Sequence, residues 1–255
     1  MKLVIAAVLA LGVGAVLGML GGGGAILTTP MLAYVVGLPA KQAIVGALFV
    51  VATTSAVSAV MHARQGNVRP RIGLVFGGVG MAFAYLGGRA THLVPGPVLL
   101  VLLSLVMLAS AVTMLRKKKG GAEDGAAPEP ALAKIALVGA AVGGLSGFVG
   151  AGGGFLIVPA LVLFGGVPMR AAVGTSLLVI AMQSTAGLLG QIATTPIEWR
   201  VTSIVAACTI VGSFAGARLG AAVKPETLRK AFAALVTVVG LGMLVREGLR
   251  LAGVG

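Results

Sequence analysis

Residues 18–32 read GMLGGGGAILTTPML, and residues 147–161 read GFVGAGGGFLIVPAL, a second copy of the same phrase inside apolar sequence. At a constant offset, Gly18/Gly147, Gly21/Gly150, Gly23/Gly152, Gly24/Gly153, Leu27/Leu156, Pro30/Pro159 and Leu32/Leu161 are identical. Glycine is costly in a helix interior, so four in a row at Gly21–Gly24 must interrupt the helix that carries them. Paired glycine- and proline-broken apolar segments in corresponding halves mark the substrate site of a secondary transporter.

The correspondence runs on beyond the phrase. Gly37 and Pro39 match Gly166 and Pro168, and Lys41 matches Arg170. After a one-residue gap AIVGALF at residues 43–49 aligns with AAVGTSL at residues 171–177, and Gly87-Gly88-Arg89 aligns with Gly216-Ala217-Arg218. The only polar stretch of any length, RKKKGGAEDGAAPEP from Arg116, lies between the copies and has linker composition. The chain thus divides into a first transmembrane repeat at 1–115, a cytoplasmic linker at 116–131 and a second transmembrane repeat at 132–255.

With 58% hydrophobic and 10% charged residues, the 255-residue chain has too little polar surface to clothe a soluble globule. Its mean hydropathy of +1.09 points to an all-α polytopic membrane protein. Nearly uncharged runs of spanning length recur at 3–20, 42–62, 72–92, 98–115, 132–149, 171–191, 201–221 and 228–245, with shorter apolar pieces at 25–36 and 155–164. The first run resembles a signal peptide, but its counterpart at 132–149 sits mid-chain, so both read as retained spans. The net charge of +13 sits in loops, with Arg64, Arg69 and Arg71 in one and Arg116–Lys119 in another. That pattern belongs to cytoplasmic loops rather than to nucleic-acid binding. Lone Cys208 allows no intramolecular disulfide and has no metal-ligand spacing, so no cofactor or metal is expected.

Each half reads as a glycine-broken helical hairpin followed by three full spans. A hairpin forces the two repeats to be inverted; a single broken span would make them parallel. Lys224, Arg229 and Lys230 favour inversion by the positive-inside rule, whereas Arg200, Arg246 and Arg250 oppose it. The first run, about 27 Å long at 1.5 Å per residue, nearly crosses the hydrocarbon core alone and favours inversion. The Arg64–Arg71 loop and the linker are then cytoplasmic, and both termini face outward.

A helix break at bilayer depth exposes backbone N–H groups and the positive end of the next helix, which together attract anions. The candidate substrate-binding residues are therefore Gly21, Gly23 and Gly24 with Thr28 and Thr29 in the first half, and Gly150, Gly152, Gly153 and Gly154 in the second. Thr175, Ser176 and Gln183 add polar groups at mid-span, where Thr53, Thr54, Ser55, Ser184 and Thr185 also lie. Close helix packing through small residues is the competing explanation of the glycines, and packing hydrogen bonds that of the hydroxyls.

The duplicated G-x-x-G-x-G-G-x-x-L-x-x-P-x-L pattern, the following G-x-P with a basic residue two positions on, and the late G-x-R resemble the sulfite exporter TauE/SafE family of membrane anion transporters. The resemblance covers both halves. It implies a multi-pass carrier of the plasma (inner) membrane that exports sulfite, related sulfur oxyanions or organosulfonates by alternating access, with the two glycine turns meeting near the midplane. One departure is GALF at residues 46–49 where the second half has GTSL, which makes the site asymmetric if those hydroxyls touch substrate.

All six acids fall in the linker, in loops or at span ends, so no mid-membrane carboxylate is available for a proton relay or a sodium site. Arg89 and Arg218, at equivalent span ends, either snorkel or close an anion path, and His62 beside Arg64 is the remaining gating candidate. An inside-negative potential alone drives each anionic charge outward by about 2.3 kcal/mol per 100 mV, and a dianion by twice that. The partners expected are a small sulfur-containing anion and the lipid bilayer, with homodimer formation left open. Two other readings compete: an exporter of another small metabolite, and an intramembrane serine hydrolase built on Ser146 in G-L-S-G. The first-half counterpart of Ser146 is Leu17, which leaves that serine without a repeated role, and no enzyme activity is expected.

Overall fold

The computed structural model describes residues 2–20, 25–115, 132–150, 154–163, 166–219 and 225–251; the linker, the glycines at 21–24 and residues 151–153 are among those outside them. Among the described residues the chain is helical and contains no strand. The elements are α1 (Lys2–Leu20), α2 (Ala25–Pro30) continued by a π-helical turn (Met31–Val36), α3 (Ala40–Arg64), α4 (Pro70–Ala90), α5 (Gly96–Leu115), α6 (Leu132–Val149), α7 (Gly154–Leu163), α8 (Met169–Gln191), α9 (Trp199–Leu219) and α10 (Pro225–Leu251). Among the described residues four segments are long and apolar enough to cross a membrane: Ala40–Arg64, Pro70–Leu93, Ala171–Gln191 and Trp199–Arg218. Ile5–Met19, Ala25–Val36, Gly96–Val112 and Ala133–Val149 are apolar but shorter. Leu74 and Leu86 on α4, Leu137 on α6, Val211 on α9 and Val238 on α10 are exposed, as suits a surface solvated by lipid.

The G-x-P motif folds the same way in both copies. Gly37 and Gly166 adopt φ of +90° and +57°, a left-handed conformation that ends the short helix before them and favours glycine. The next N–H groups, of Leu38 and Val167, bond back to the Leu32 and Leu161 carbonyls at 3.1 and 3.2 Å. Pro39 and Pro168 then cap α3 and α8, and their carbonyls accept from Ala43 and Ala172. Proline suits a helix start, where its missing N–H deprives no carbonyl.

Glycines set the closest helix contacts. A Cβ on Gly14 or Gly18 of α1 would fall 2.0 or 2.2 Å from the Thr209 or Ser213 carbonyl oxygen of α9, and one on Gly212 or Gly216 would strike the Leu11 or Ala15 carbonyl of α1. Gly139, Gly143 and Gly147 of α6 sit likewise against Phe76, Gly80 and Ala84 of α4. The first glycine of each repeated phrase, Gly18 or Gly147, therefore serves close packing.

These contacts fix helix directions. Four residues along α1, from Gly14 to Gly18, the neighbour on α9 also advances by four, so α1 and α9 run parallel; α6 and α4 do the same. On α8, Gly174 faces His62 while Gly187 faces Leu48, so α8 runs antiparallel to α3. α3 in turn runs parallel to α9, meeting it at Gly46/Thr202 and again at Ser58/Ser213.

Candidate functional site

Inside a bundle surrounded by lipid, a buried donor or acceptor without a partner costs about 1–3 kcal/mol, so such groups are rare unless a ligand uses them. Thr28, Thr54, Ser55, Ser146, Gln183 and Ser184 are each at most 2% exposed, and their hydroxyl or amide atoms have no hydrogen-bond partner. The α3/α8 register places Gln183 about level with Ala52 and Ser55 about level with Ile180. Thr54, Ser55, Gln183 and Ser184 thus fall within roughly one helical turn, about 6 Å along the axis. Ser55 and Gln183 are also equivalent positions once the one-residue gap in the repeat is applied.

Gln183 occupies a notch made for it. A Cβ on Gly80 of α4 would lie 2.0 Å from its Nε2, and the Gly139 carbonyl of α6 borders the same space. The position equivalent to Gly80 is Thr209 on α9 of the second half, whose hydroxyl bonds to the Val205 carbonyl at 2.7 Å, and the residue equivalent to the glutamine is the shorter Ser55 of the first half.

The second glycine turn lies toward the other end of α3, level with Ile44 and roughly 11–17 Å along the axis from these side chains. Gly150, at φ +72°, closes α6 by donating its N–H to the Ser146 carbonyl at 3.0 Å, and it packs on Ile44 of α3. Its own carbonyl accepts a bond of 3.1 Å from the Thr29 hydroxyl, a buried tether between the halves. Gly154 is the first residue of α7 and is buried. Gln191 Nε2 donates to the Gly147 carbonyl at 2.9 Å, fixing the end of α6 to the end of α8.

The other candidates lie elsewhere. Gly21, Gly23, Gly24, Gly152 and Gly153 are outside the described residues. Thr175 accepts the Arg69 backbone N–H at 2.9 Å and so secures the 65–69 loop, while Ser176 donates to the Val173 carbonyl within its own helix. His62 is half-buried with both ring nitrogens unpartnered, roughly 10 Å along α3 from Ser55. Arg89 is exposed and donates to the Tyr85 hydroxyl at 3.3 Å, and Arg218 is exposed on α9; neither reaches the central cluster.

The expectation that the two glycine turns meet near the midplane falls on residues 21–24 and 151–153, outside the described residues, and one other expectation is revised. Glu247, a span-end acid by sequence, is fully buried. It accepts the Tyr34 hydroxyl at 2.9 Å on one oxygen and faces Arg250 at 3.8 Å on the other, while Arg246 lies over the Tyr34 ring. A cavity of about 210 Å³ lined by Tyr34, Val239, Gly242, Met243 and Arg246 adjoins this pair and shares no residue with the central cluster. Ser55 and Ser184 are legible in the sequence as mid-span hydroxyls, and the repeat alignment puts Ser55 opposite Gln183; nothing local in the sequence marks Tyr34 and Glu247 as partners.

A lipid-facing helical bundle with unpaired polar groups between broken helices is built as a membrane transporter is built. The family model for Sulfite exporter TauE/SafE matches residues 6–243, and the chain belongs to that family. It is 33% identical over 244 residues to a probable membrane transporter protein of Xylella fastidiosa, covering 92% of each chain. It is 27% identical to the probable membrane transporter protein YdhB of Bacillus subtilis, over 91% of this chain and 96% of that one. A probable membrane transporter protein of Methanocaldococcus jannaschii is 28% identical over 91% of this chain and 93% of its own. No solved structure gives a significant match. The protein is an integral membrane protein of a transporter family.

Proposed function

We propose that the chain is a secondary transporter of the plasma (inner) membrane that exports sulfite, related sulfur oxyanions or organosulfonates by alternating access. The observation that carries this reading is the set of fully buried, unpartnered donors on α2, α3, α6 and α8. Hydroxyls, a primary amide and the free N–H groups of a helix start are the donors an oxyanion needs. The two halves act as inverted repeats. The opposite directions of α3 and α8, which are equivalent elements, support this, as does the mutual packing of α1 on α9 and α6 on α4.

A serine hydrolase fits less well. Ser146 Oγ has no hydrogen-bond partner, so no histidine is placed to activate it. The test is a proteoliposome flux screen of sulfite, sulfate, thiosulfate and small sulfonates with wild type, Gly24→Val and Gly153→Val. A branched side chain at either glycine blocks amides that only glycine exposes, so both variants should lose transport while still folding. Transport of no sulfur anion by the wild type, or full transport by both variants, would overturn the reading.

A further inference from the structure

Two helix pairs, α4/α8 and α9/α3, fall at aligned positions of the sequence, and their seams are built differently. The α4/α8 seam is sealed at backbone level: a Cβ on Gly88 would lie 2.6 Å from the Gly187 carbonyl oxygen, and one on Gly190 would lie 2.5 Å from that of Tyr85. The α9 residues aligned with Gly73, Gly80 and Ala84 are Thr202, Thr209 and Ser213. The α3 residues aligned with Met182 and Ala186 are Thr54 and Ser58. At each of these positions a hydroxyl stands on α9 or α3 where α4 or α8 has glycine or an apolar side chain. Gly88 and Gly187 are themselves matched by Ala217 and Ala59, whose methyl groups rule out the same backbone approach.

Contacts at both ends fix how the α3/α9 seam is lined. Thr202 Oγ1 lies 3.1 Å from where a Cβ on Gly46 would stand, so it points across the seam at α3. About 18 Å further along, Ser58 donates to the Ser213 hydroxyl at 3.3 Å. Thr54 stands one turn before Ser58 and Thr209 one turn before Ser213, between those two contacts. Thr54 and Thr202 are fully buried and their hydroxyls have no partner, whereas Thr209 and Ser213 donate to carbonyls of their own helix. At the start of α9 the seam is closed by the edge of one ring against the face of another, Phe49 and Trp199, with centroids 5.3 Å apart.

This difference decides which seam admits water. Parting α4 from α8 exposes apolar surface and satisfies no lost hydrogen bond, whereas parting α3 from α9 brings partners to hydroxyls that lack them. Resting on the export of sulfur oxyanions proposed above, we propose that the α3/α9 seam is the hydrated path of the anion and that the α4/α8 seam stays shut. Thr202 and Thr54, about 12 Å apart along the axis, donate to the oxyanion in turn. The Phe49–Trp199 contact and the Ser58–Ser213 bond are the closures broken at either end.

The experiment uses the full chain in lipid nanodiscs, in a Cys208→Ser background carrying Thr54→Cys, Ser58→Cys, Met182→Cys or Ala186→Cys singly. The anionic reagent sulfonatoethyl methanethiosulfonate modifies only thiols that water reaches, because the thiolate is the reacting form. Thr54→Cys and Ser58→Cys should be modified, Met182→Cys and Ala186→Cys should not, and methanesulfonate should slow the modification of Thr54→Cys. Ser58→Cys combined with Ser213→Cys brings two thiols within reach of a disulfide, and the oxidised pair should lose methanesulfonate flux in proteoliposomes and regain it on reduction. Modification of Met182→Cys or Ala186→Cys as fast as Thr54→Cys, no modification of either α3 cysteine, or undiminished flux through the oxidised pair overturns the path. Modification confined to α3, without protection by methanesulfonate and without flux of any sulfur anion through the wild-type chain, keeps the hydrated seam and removes the functional reading on which its substrate rests.

Discussion

Replacing Gln183 by methionine separates a ligand-binding amide from a packing wedge. The side chain is fully buried, and neither Nε2 nor Oε1 has a partner. At about 1–3 kcal/mol per unmatched group, two such atoms leave room for a gain of several kcal/mol when they are removed. Interhelical hydrogen bonds in membranes average only about 0.6 kcal/mol, because the unfolded chain also finds partners, so a net gain of about 1–2 kcal/mol is expected. Methionine has the same unbranched length and fits the notch at Gly80, where a branched chain would collide with α4. For a chain of this size each kcal/mol moves the melting temperature by about 2–4 °C. Gln183→Met should therefore melt roughly 2–8 °C above wild type in detergent while losing anion flux in proteoliposomes. A variant that is less stable and still transports would show that the amide is a matched structural element, and the central site would have to be placed elsewhere.

Other substitutions test the supporting geometry. Gly143→Leu or Gly216→Leu places a side chain about 2 Å from a facing backbone carbonyl, so the α6/α4 or α1/α9 pair must separate; recovery of folded protein should fall sharply in size-exclusion chromatography. Thr29→Val keeps the shape but leaves the Gly150 carbonyl without its donor, and should lower stability by about 1–2 kcal/mol in a melting assay. Tyr34→Phe strips the buried Glu247 oxygen of its hydrogen bond and should cost about 1–3 kcal/mol, with Glu247→Gln partly restoring stability in the double variant. In a Cys208→Ser background, a cysteine at Gln65 should label from the cytoplasm and one at Thr194 from outside; labelling from one side would refute the assigned topology.

The sequence by itself determined the membrane class and the helix junctions at the two Gly-x-Pro motifs. Each rests on local chemistry: uncharged runs of spanning length, and a Gly-x-Pro that must end one helix and begin the next. The motif's two copies, Gly37–Pro39 and Gly166–Pro168, fold alike because their dihedral preferences are set within three residues. Charge bias could not choose between parallel and inverted halves, since basic residues near span ends pointed both ways. The directions of α3 and α8 follow instead from which residues meet, Gly174 with His62 and Gly187 with Leu48. Tertiary structure alone also decided which hydroxyls are used up and which are free. Thr29 and Thr175 looked equivalent to Thr28 and Ser55 in the chain, yet the first two are spent on Gly150 and Arg69 while the others have no partner. The reason is physical: a hydrogen bond across 121 or 106 residues depends on how helices cross, and helix crossing is set by where glycines let backbones approach, a property of pairs of helices that no single stretch of sequence contains.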